Sequence, residues 1–469
     1  MRGTLEPAAP PQLVIARDVL APRPGLSYRP PVTLSQADVN RIFLPATYAD
    51  GVPYGLFREL RRAAPVWWVE EPPVAGWPGG TGYWAVLRHA DVKHVLRSPD
   101  VFSSHLGATQ VRDPDTPADL DFVRAMMLNQ DPPDHSRLRR IVAGAFTPRA
   151  LVELTDAVAG RVRELVAGVR PEGAADLVRL VADLPVWTLV RVMGVPEQDR
   201  QLLVDWANRV IGYQDADYAQ SSTADPATLT DLGRAALAHR PTALTAPDGR
   251  PVNPRSRPAL ADMYAYAHGL AQAPGESRGI LTRALQAGLT AEEFETMFFL
   301  FAVAGNETVR NGLPGALLTL FGHPAQYRQL RERPELTGPA VEELLRFWPP
   351  VMNIRRTAAA DTELGGRPIR RGDKVVVYHA SANRDETVFP EPDRLDLTRT
   401  PNDHVSFGYG PHFCVGAQLA RVQLRLMVRE LLDRLPGLEP DPAAGPPRRL
   451  VTNFQNGLKS LPVRWRTTG

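Results

Sequence analysis

The sequence has one cysteine, Cys414, among its 469 residues. This excludes an internal disulfide framework and any multi-cysteine zinc or iron–sulfur site. No apolar run approaches the roughly 20 residues of a membrane-spanning helix, and the first residues lack the apolar stretch of a secretory signal. The 54 basic and 52 acidic residues leave a net charge of +2, which excludes strong nucleic-acid binding through bulk charge. These absences predict a cytoplasmic protein with neither a membrane span nor a nucleic-acid partner.

The apolar spacing predicts a mainly α fold with a minor β part. Residues 1–38 are proline-rich and lack sustained periodicity, which predicts a loosely ordered lead-in before a single domain over residues 39–469. Two strands at residues 65–69 and 83–87 are expected to form a hairpin. Helical spacing dominates from about residue 91 to 347, and short strands and turns follow.

One segment interrupts the helical region. Residues 219–258 are polar and then proline-rich. Such a composition cannot contribute much hydrophobic core, so the segment is predicted to be a mobile surface insertion.

The longest predicted helix begins at a capping box formed by Thr290 and Glu293 and ends near Phe321, before a Gly-His-Pro stop. Its middle is apolar all round, which indicates a buried helix. Pro314 lies inside it and is expected to kink it, because proline removes a backbone hydrogen bond.

Polar residues enter this buried stretch at 304–308, which reads Ala-Gly-Asn-Glu-Thr. Unpartnered polar groups are costly in an apolar interior, and two interpretations are open. In the simpler one, Thr308 donates a hydrogen bond to the carbonyl of Ala304, four residues earlier. In the other, Ala304 and Gly305 leave a groove for a ligand, beside which Thr308 supplies a hydroxyl and Glu307 a carboxyl that relays protons.

Cys414 lies in the segment 407–416, Phe-Gly-Tyr-Gly-Pro-His-Phe-Cys-Val-Gly, just before a predicted helix over residues 416–435. Backbone amides and the helix N-terminus favour a thiolate there. The glycines at 408, 410 and 416 permit tight turns and the close approach of a flat group. A thiolate presented in this way suits axial ligation of haem iron, so Cys414 is the predicted metal ligand.

This segment resembles the signature of the cytochrome P450 family, Phe-Gly-x-Gly-x-His-x-Cys-x-Gly, which is complete here. Three further motifs stand in the family's order: the oxygen-activation motif at 304–308, Glu-x-x-Arg at 343–346, and Phe-Pro-Glu-Pro-Asp-Arg at 389–394. The resemblance covers about residues 40–466. It implies the family's triangular helical prism around a buried haem b, and a monooxygenase that inserts one oxygen atom of O2 into a C–H bond.

The resemblance also implies individual roles. Thr308 and Glu307 are the expected catalytic pair. Glu343, Arg346 and Arg394 are expected to form a buried triad, whereas without the resemblance an exposed ion pair between Glu343 and Arg346 is the simpler interpretation. The residues expected to contact the haem are Cys414 at the iron, His135, Arg139, Arg356 and His412 at the propionates, and Phe407, Gly408, Gly305 and Ala304 beside the ring.

Electrons are expected from a separate ferredoxin and ferredoxin reductase, because no flavin or nicotinamide domain follows the last motif. The arginines 421, 425 and 429 recur on one helical stripe and, with those at 137 and 140, predict a basic patch that attracts an acidic ferredoxin. A solvated helix face without a partner is the alternative.

Residues 127–131, 453–459 and the 302–308 stretch resemble the bacterial subgroup that hydroxylates steroid side chains and methyl-branched lipids. This implies an apolar, elongated substrate. A specialised-metabolite tailoring hydroxylase is the first alternative, and a peroxide-using haem-thiolate enzyme or a non-enzymatic haem sensor is the second.

By family analogy, the substrate is expected to contact residues 102–109, 300–304, 351–354 and 452–455. The insertion at 219–258 falls where the family's access lid lies, and its proline-rich half is expected to adjoin the mouth of the pocket.

Overall fold

The computed structural model describes residues 34–74, 77–220, 224–242, 252–272 and 279–467. Residues Ser35–Gly469 cluster as one compact unit. The predicted lead-in over residues 1–38 lies almost wholly outside the described residues. The first described helix begins at Gln36, within the last part of that stretch.

Helices dominate the described residues. They are α1 (Gln36–Asn40), α2 (Tyr54–Ala63), α3 (His89–Arg97), α4 (Pro117–Arg124), α5 (Asp134–Ala143), α6 (Pro148–Val169), α7 (Leu177–Met193), α8 (Arg200–Ile211), α9 (Ala216–Ala219), α10 (Asp231–Leu237), α11 (Ala261–Gln272), α12 (Ile280–Gln286), α13 (Ala291–Phe321), α14 (Pro324–Glu332), α15 (Thr337–Phe347), α16 (His379–Ala382) and α17 (Ala417–Arg434). The strands are β1 (Val66–Val69), β2 (Tyr83–Val86), β3 (Phe102–Ser103), β4 (Ala174–Asp176), β5 (Asn353–Ala358), β6 (Thr362–Leu364), β7 (Arg367–Ile369), β8 (Lys374–Tyr378), β9 (Glu439–Pro440), β10 (Arg448–Arg449), β11 (Leu458–Ser460) and β12 (Pro462–Arg464).

The largest sheet has the strand order β1-β2-β8-β5-β3. β1 and β2 form the predicted antiparallel hairpin, in which Val66 pairs with Val86. β8 runs parallel to β2 and antiparallel to β5. Because successive residues of a strand face opposite sides of a sheet, Arg355 and Arg356 of β5 are directed to different faces.

Helix α13 has the predicted bounds and the predicted start. The Thr290 hydroxyl accepts from the Glu293 amide at 3.2 Å, and the Glu293 carboxylate accepts from the Thr290 amide at 3.0 Å. The helix continues across Pro314. It packs closely on α7 at Gly305, where a Cβ would come within 2.7 Å of Leu189.

Two hydrophobic clusters meet at α13. One includes residues of α6, α7, α14, α15 and α17, and the other includes residues of α5, α7, α8, α11 and α12. Residues of α13 belong to both clusters, so this helix is the wall that they share.

The insertion predicted at 219–258 contributes more core than its composition indicated. α10 lies within it and packs on α11, and Ala224, Leu229 and Ala236 are buried in the second cluster. Only some of its apolar residues are buried; Ala227, Ala235 and Ala238 are exposed. Residues 221–223 and 243–251 lie outside the described residues, and mobility of the segment stays a prediction.

A buried carboxylate, Glu343 of α15, joins that helix to the loop before Cys414. Arg346 donates to both of its oxygens at 2.8 Å. Arg399 Nε lies 3.2 Å from both oxygens, and Asn402 donates to it at 3.1 Å. The carboxylate is therefore matched by donors on α15 and on the long loop before Cys414.

The prediction that Arg394 completes this cluster is wrong. Its side chain pairs with Glu391 at 2.8 Å and with Asp396 at 3.2 Å, and is 59% exposed. Only its backbone carbonyl faces the cluster, where it accepts from Arg399 at 3.2 Å. The turn of the loop directs Arg399, not Arg394, toward Glu343.

We predict that Arg399→Gln lowers the free energy of unfolding by about 3 kcal/mol, because it removes one of the two cations that bind the buried Glu343 carboxylate. The matched change Arg394→Gln removes an exposed pair and should cost less than about 1 kcal/mol. Denaturant titration of both variants measures the difference. Equal losses would contradict the assignment of Arg399 to the cluster.

Candidate functional site

A cavity of about 400 Å³ lies between α13 and the loop that precedes α17. Residues of α5, α7, α8 and β5 complete its walls. Ten of the eleven predicted site residues line it: His135, Arg139, Ala304, Gly305, Thr308, Arg356, Phe407, Gly408, His412 and Cys414. The eleventh, Glu307, does not.

Cys414 presents its thiol to this cavity. The backbone is fixed by a hydrogen bond from the Cys414 amide to the Phe407 carbonyl at 2.9 Å, and α17 begins three residues later. Burial raises the pKa of the Cys414 thiol, while the Gly416 amide and the cations of Arg139 and Arg421 oppose that rise. The Gly416 amide and the two cations therefore favour the thiolate, and burial opposes them. A metal cation bound at the sulfur would favour the thiolate further.

The glycines of the 407–416 segment leave space on the cavity side. Gly408 and Gly410 have φ values of +72° and +70°, which glycine adopts without strain. A Cβ on Gly410 would come within 2.6 Å of the Leu96 carbonyl, so α3 also requires glycine there. A Cβ on Gly416, which lines the cavity, would meet no atom within 4 Å. The loop thus leaves the approach to the thiol open.

Two imidazoles and two guanidinium groups gather at the rim of the cavity. The rings of His135 and His412 stack with centroids 4.0 Å apart. Burial, together with the neighbouring cations, lowers the pKa of His135 to about 4 and that of His412 to about 2. Burial also lowers the pKa of Arg356 to about 10. His135 Nδ1 and Arg356 Nη2 are buried with no hydrogen-bond partner among the described residues.

This cluster has the character of an anion site. Positive groups are crowded together, and unpartnered donors are present among them. Two carboxylates delivered by a ligand would satisfy the donors and reverse the repulsion that depresses these pKa values. The residues present therefore fit a group that carries two propionates next to a thiol-ligated metal.

Arg355 and Arg356 are adjacent on β5, and because side chains alternate along a strand, only one of them reaches the cavity. Arg355 turns to the other face of β5, where it pairs with Asp113 at 2.5 Å. Asp113 also pairs with Lys374, which in turn pairs with Glu71. Arg356 alone of the two lines the cavity.

Thr308 makes the hydrogen bond of the simpler interpretation and also lies on the cavity wall. Its hydroxyl donates to the Ala304 carbonyl at 3.1 Å, as a helix-interior threonine commonly does. The same side chain lines the cavity, as do Ala304 and Gly305. The hydrogen bond therefore fixes the position of a hydroxyl on the cavity wall.

Glu307 is fully buried, and its carboxylate has partners behind the cavity wall. Tyr218 donates its hydroxyl to Oε2 at 2.5 Å, and Arg310 donates to Oε1 at 3.0 Å. Arg310 also donates to Asn208 at 2.6 Å. Burial raises the pKa of Tyr218, and the Glu307 carboxylate raises it further. Glu307 is thus held among polar groups of α8 and α9 that sequence reasoning had not connected with it.

The predicted basic patch is largely neutralised by ion pairs. Arg421 donates twice to Glu342 at 2.8 Å, and Arg425 lies 3.8 Å from the same carboxylate. Arg429 pairs with Asp433 at 2.5 Å. Arg137 pairs with Glu293. Four of the five arginines therefore have nearby carboxylates that the helical spacing did not reveal, but Arg421 and Arg425 share Glu342. The patch keeps part of its positive charge, and its role in ferredoxin binding stays a prediction.

Each segment predicted to contact substrate does contribute to the cavity, with residues such as Thr109, Leu300, Val351 and Phe454. Sequence reasoning missed two groups of lining residues: Leu189 and Val192 of α7, and Val210 and Ile211 of α8. Asn253, Pro254 and Arg255 also line the cavity, and they lie in the proline-rich half of the insertion that was expected to adjoin the mouth of the pocket. The apolar residues of α7 and α8 have the same sequence pattern whether they line a cavity or pack in the core, so the sequence did not distinguish the two.

No helix in the described part of the chain is both long and apolar enough to span a membrane. Within the same residues, no group of three or more His, Cys, Asp or Glu side chains could hold a metal ion. A metal at this site would therefore depend on Cys414 and on a prosthetic group.

Comparison with known proteins gives a consistent result. The cytochrome P450 family model matches residues 277–465. A steroid C26-monooxygenase of Rhodococcus jostii is 36% identical over 433 residues, which is 90% of this chain and 84% of that protein. A methyl-branched lipid omega-hydroxylase of Mycobacterium tuberculosis is 36% identical over 422 residues, with 89% and 92% covered.

Solved structures agree with this similarity. A Mycobacterium marinum cytochrome P450, CYP268A2 in complex with pseudoionone, has a TM-score of 0.73 and 33% identity, and the alignment covers 94% of this chain and all of that one. CYP109E1 of Bacillus megaterium, in complex with testosterone, has a TM-score of 0.72 and 29% identity, with 88% and 98% covered. The P450 fold, with its dominant helices and minor β part, is thereby confirmed, and the family implies a cysteine-ligated haem iron. The chain belongs to the cytochrome P450 family and is a monooxygenase of that family.

Proposed function

We propose that this protein hydroxylates an elongated apolar substrate, a steroid side chain or a methyl-branched lipid, through a haem b that is ligated by Cys414. The observation that supports this most directly is the arrangement of one cavity. A cysteine thiol lies on one wall, the Thr308 hydroxyl lies on the α13 wall, and a cation cluster lies at the rim.

The residues that would hold the haem follow from this arrangement. Cys414 would ligate the iron, and Gly408 and Gly416 would leave room for the ring. His135, Arg139, Arg356 and His412 would bind the propionates. Bound haem with an axial thiolate supplies the activation of O2 and the oxidation of a C–H bond.

The chain's own contribution to that chemistry includes proton delivery. Thr308 holds a hydroxyl at a fixed place on the cavity wall, because its proton is directed to the Ala304 carbonyl 3.1 Å away. Glu307, one residue earlier, is a carboxylate within a polar cluster behind the wall. Rotation of the Glu307 side chain would carry a proton from that cluster toward Thr308, and a general acid–base group positioned in this way contributes about 10²–10⁴-fold to a rate.

The cavity itself favours a hydrophobic substrate. Leu300, Val303 and Phe301 of α13 line it, together with the apolar residues of α7 and α8. Such a lining excludes water and binds by removing apolar surface from solvent. The relatives named for steroid and methyl-branched lipid oxidation support the same substrate class for this chain.

Electrons would come from a ferredoxin and its reductase. The loop and helices around Cys414 are the shortest route for an electron to the haem, and Phe413 is partly exposed there. Because most arginines on this face are ion-paired, recognition would depend on shape and on the few unpaired charges more than on a large basic patch. A peroxide-using enzyme is the weaker alternative, since the carboxyl–hydroxyl pair of Glu307 and Thr308 is present.

We predict that Cys414→Ser abolishes the long-wavelength absorption band of the reduced carbon-monoxide complex, because that band reports electron donation by an axial thiolate. Haem content is measured in the same sample, so that loss of haem is separated from loss of the thiolate. A mutant that retains both haem and the band would contradict ligation by Cys414.

Thr308→Ala is expected to leave haem binding and substrate binding unchanged and to divert electrons to hydrogen peroxide. The reason is that the variant lacks the only hydroxyl that this motif places on the cavity wall. The measurement is product formed per NAD(P)H consumed with ferredoxin and reductase, together with peroxide release. An unchanged ratio would mean that Thr308 serves only the helix.

Glu307→Gln should lower the rate of product formation by about 10²-fold, because an amide cannot relay a proton. It should also increase the solvent deuterium isotope effect. The matched control is Glu295→Gln, which changes another fully buried, ion-paired carboxylate of the same helix, bonded to Arg257 and His268. Equal effects of the two substitutions would assign the loss to helix stability instead of proton transfer.

A further inference from the structure

Arg255 is a cation on the cavity wall that lacks an anionic partner. Three other arginines line the cavity. Arg139 and Arg356 belong to the rim cluster that the haem propionates would neutralise, and Arg112 pairs with Asp115. Among the described residues, no carboxylate lies within pairing distance of Arg255.

The surroundings of Arg255 are aromatic. Its guanidinium lies 4.6 Å from the ring centroid of Tyr213 and 6.0 Å from that of Phe454. Its Nη2 nitrogen is buried and has no hydrogen-bond partner in the described part of the chain. Burial lowers the pKa of Arg255, a hydrogen bond to Tyr213 opposes that shift, and the nearby Arg112 cation adds to it. These partners supply no negative charge, so a ligand that brings one anion would stabilise this partly buried cation.

The carboxylates of this part of the cavity wall are already engaged elsewhere. Asp113 is held by Arg355 at 2.5 Å and by Lys374 at 2.6 Å. Asp119 accepts the hydroxyl of Thr116 at 2.7 Å, at the N-terminus of its own helix. Neither carboxylate pairs with Arg255, so the guanidinium of Arg255 is available to bind an anionic ligand.

Arg255 contacts a residue that the main cavity shares with a second pocket. Its neighbour Tyr213 lines a second, more polar pocket of about 190 Å³, together with Trp77 and Arg112. Cys414 and Thr308 belong to the main cavity alone. A ligand that spans the main cavity therefore has a polar end at Arg255 and an apolar end at the haem.

We propose that Arg255 binds the carboxylate of a long, branched apolar acid and thereby directs the opposite, apolar end of that acid to the haem. This rests on the proposed function and narrows its substrate to an acid. A carboxylate matches a guanidinium in both charge and planar geometry. A doubly charged phosphate would leave a surplus negative charge in a largely apolar cavity.

The test uses the haem-loaded protein and three probes of equal length: a methyl-branched hexadecanoic acid, its methyl ester and the corresponding primary alcohol. Dissociation constants are obtained from the spectral shift that follows displacement of water at the haem. Wild type, Arg255→Gln and Arg191→Gln are compared. Arg191 is a matched control, because it is an exposed arginine stacked 4.2 Å from the ring of Trp187 and is absent from the cavity wall.

Wild type is expected to bind the acid at least about tenfold more tightly than the ester, as a charge-assisted hydrogen bond provides. Arg255→Gln should raise the dissociation constant of the acid by about 10–100-fold and change those of the ester and the alcohol by less than about twofold. It should also broaden the set of oxidised positions of the acid. Arg191→Gln should leave all three constants unchanged.

Two results would overturn the proposal: no preference of wild type for the acid, including no binding of either probe, or equal weakening of acid and ester in Arg255→Gln. The proposed function is judged separately. If wild type oxidises the ester and alcohol with ferredoxin and reductase, the monooxygenase stands even when the acid preference fails. If none of the probes is oxidised while the carbon-monoxide spectrum is intact, the proposed lipid substrate class is wrong as well.

Discussion

The burial of helix α13 is the constraint on which the rest of this structure depends. The helix separates two hydrophobic clusters and also forms one wall of the cavity. A polar group on such a helix is costly unless it has a partner. Glu295, Glu307 and Arg310 all have a charged partner, whereas the buried side chain of Asn306 has no hydrogen-bond partner among the described residues. The helix therefore carries charged groups through the core without opening the core to water.

The same requirement separates two kinds of buried carboxylate. Glu343 accepts hydrogen bonds from Arg346, Arg399 and Asn402, so it is fixed and joins α15 to the loop before Cys414. Glu307 has a tyrosine and an arginine as principal partners, and its neighbour Thr308 reaches the cavity. A carboxylate with fewer, exchangeable partners beside a cavity is suited to moving a proton, whereas one enclosed by donors is suited to holding a loop in place.

Apart from Arg112, which pairs with Asp115, the cations that line the cavity lie in two places, the rim cluster and Arg255. In the proposed assignment, the cations at the rim would bind the two propionates of the haem, and Arg255 would bind the other end of a substrate. Between them the walls are mainly apolar. The apolar walls suit the steroid and branched-lipid substrates for which the relatives are named. The proposal adds a negative charge at the end of the substrate that is distant from the haem. The described part of the predicted insertion supplies Arg255, which gives that segment a role in specificity.

The sequence by itself determined the features that depend on neighbouring residues. The capping box at Thr290, the end of α13 at Phe321, the β1–β2 hairpin and the loop around Cys414 all follow from short-range spacing, because caps, turns and amphipathic periods are local properties. Only the tertiary structure decided choices between similar residues far apart in the chain. Strand alternation in the sheet selected Arg356 over Arg355, and the turn of a loop selected Arg399 over Arg394. Ion pairs lowered the charge of the arginine stripe of α17, and Tyr218 of α9 became a partner of Glu307 on α13. These outcomes depend on which side chains meet across the fold, and a single sequence does not encode such distances in its local pattern.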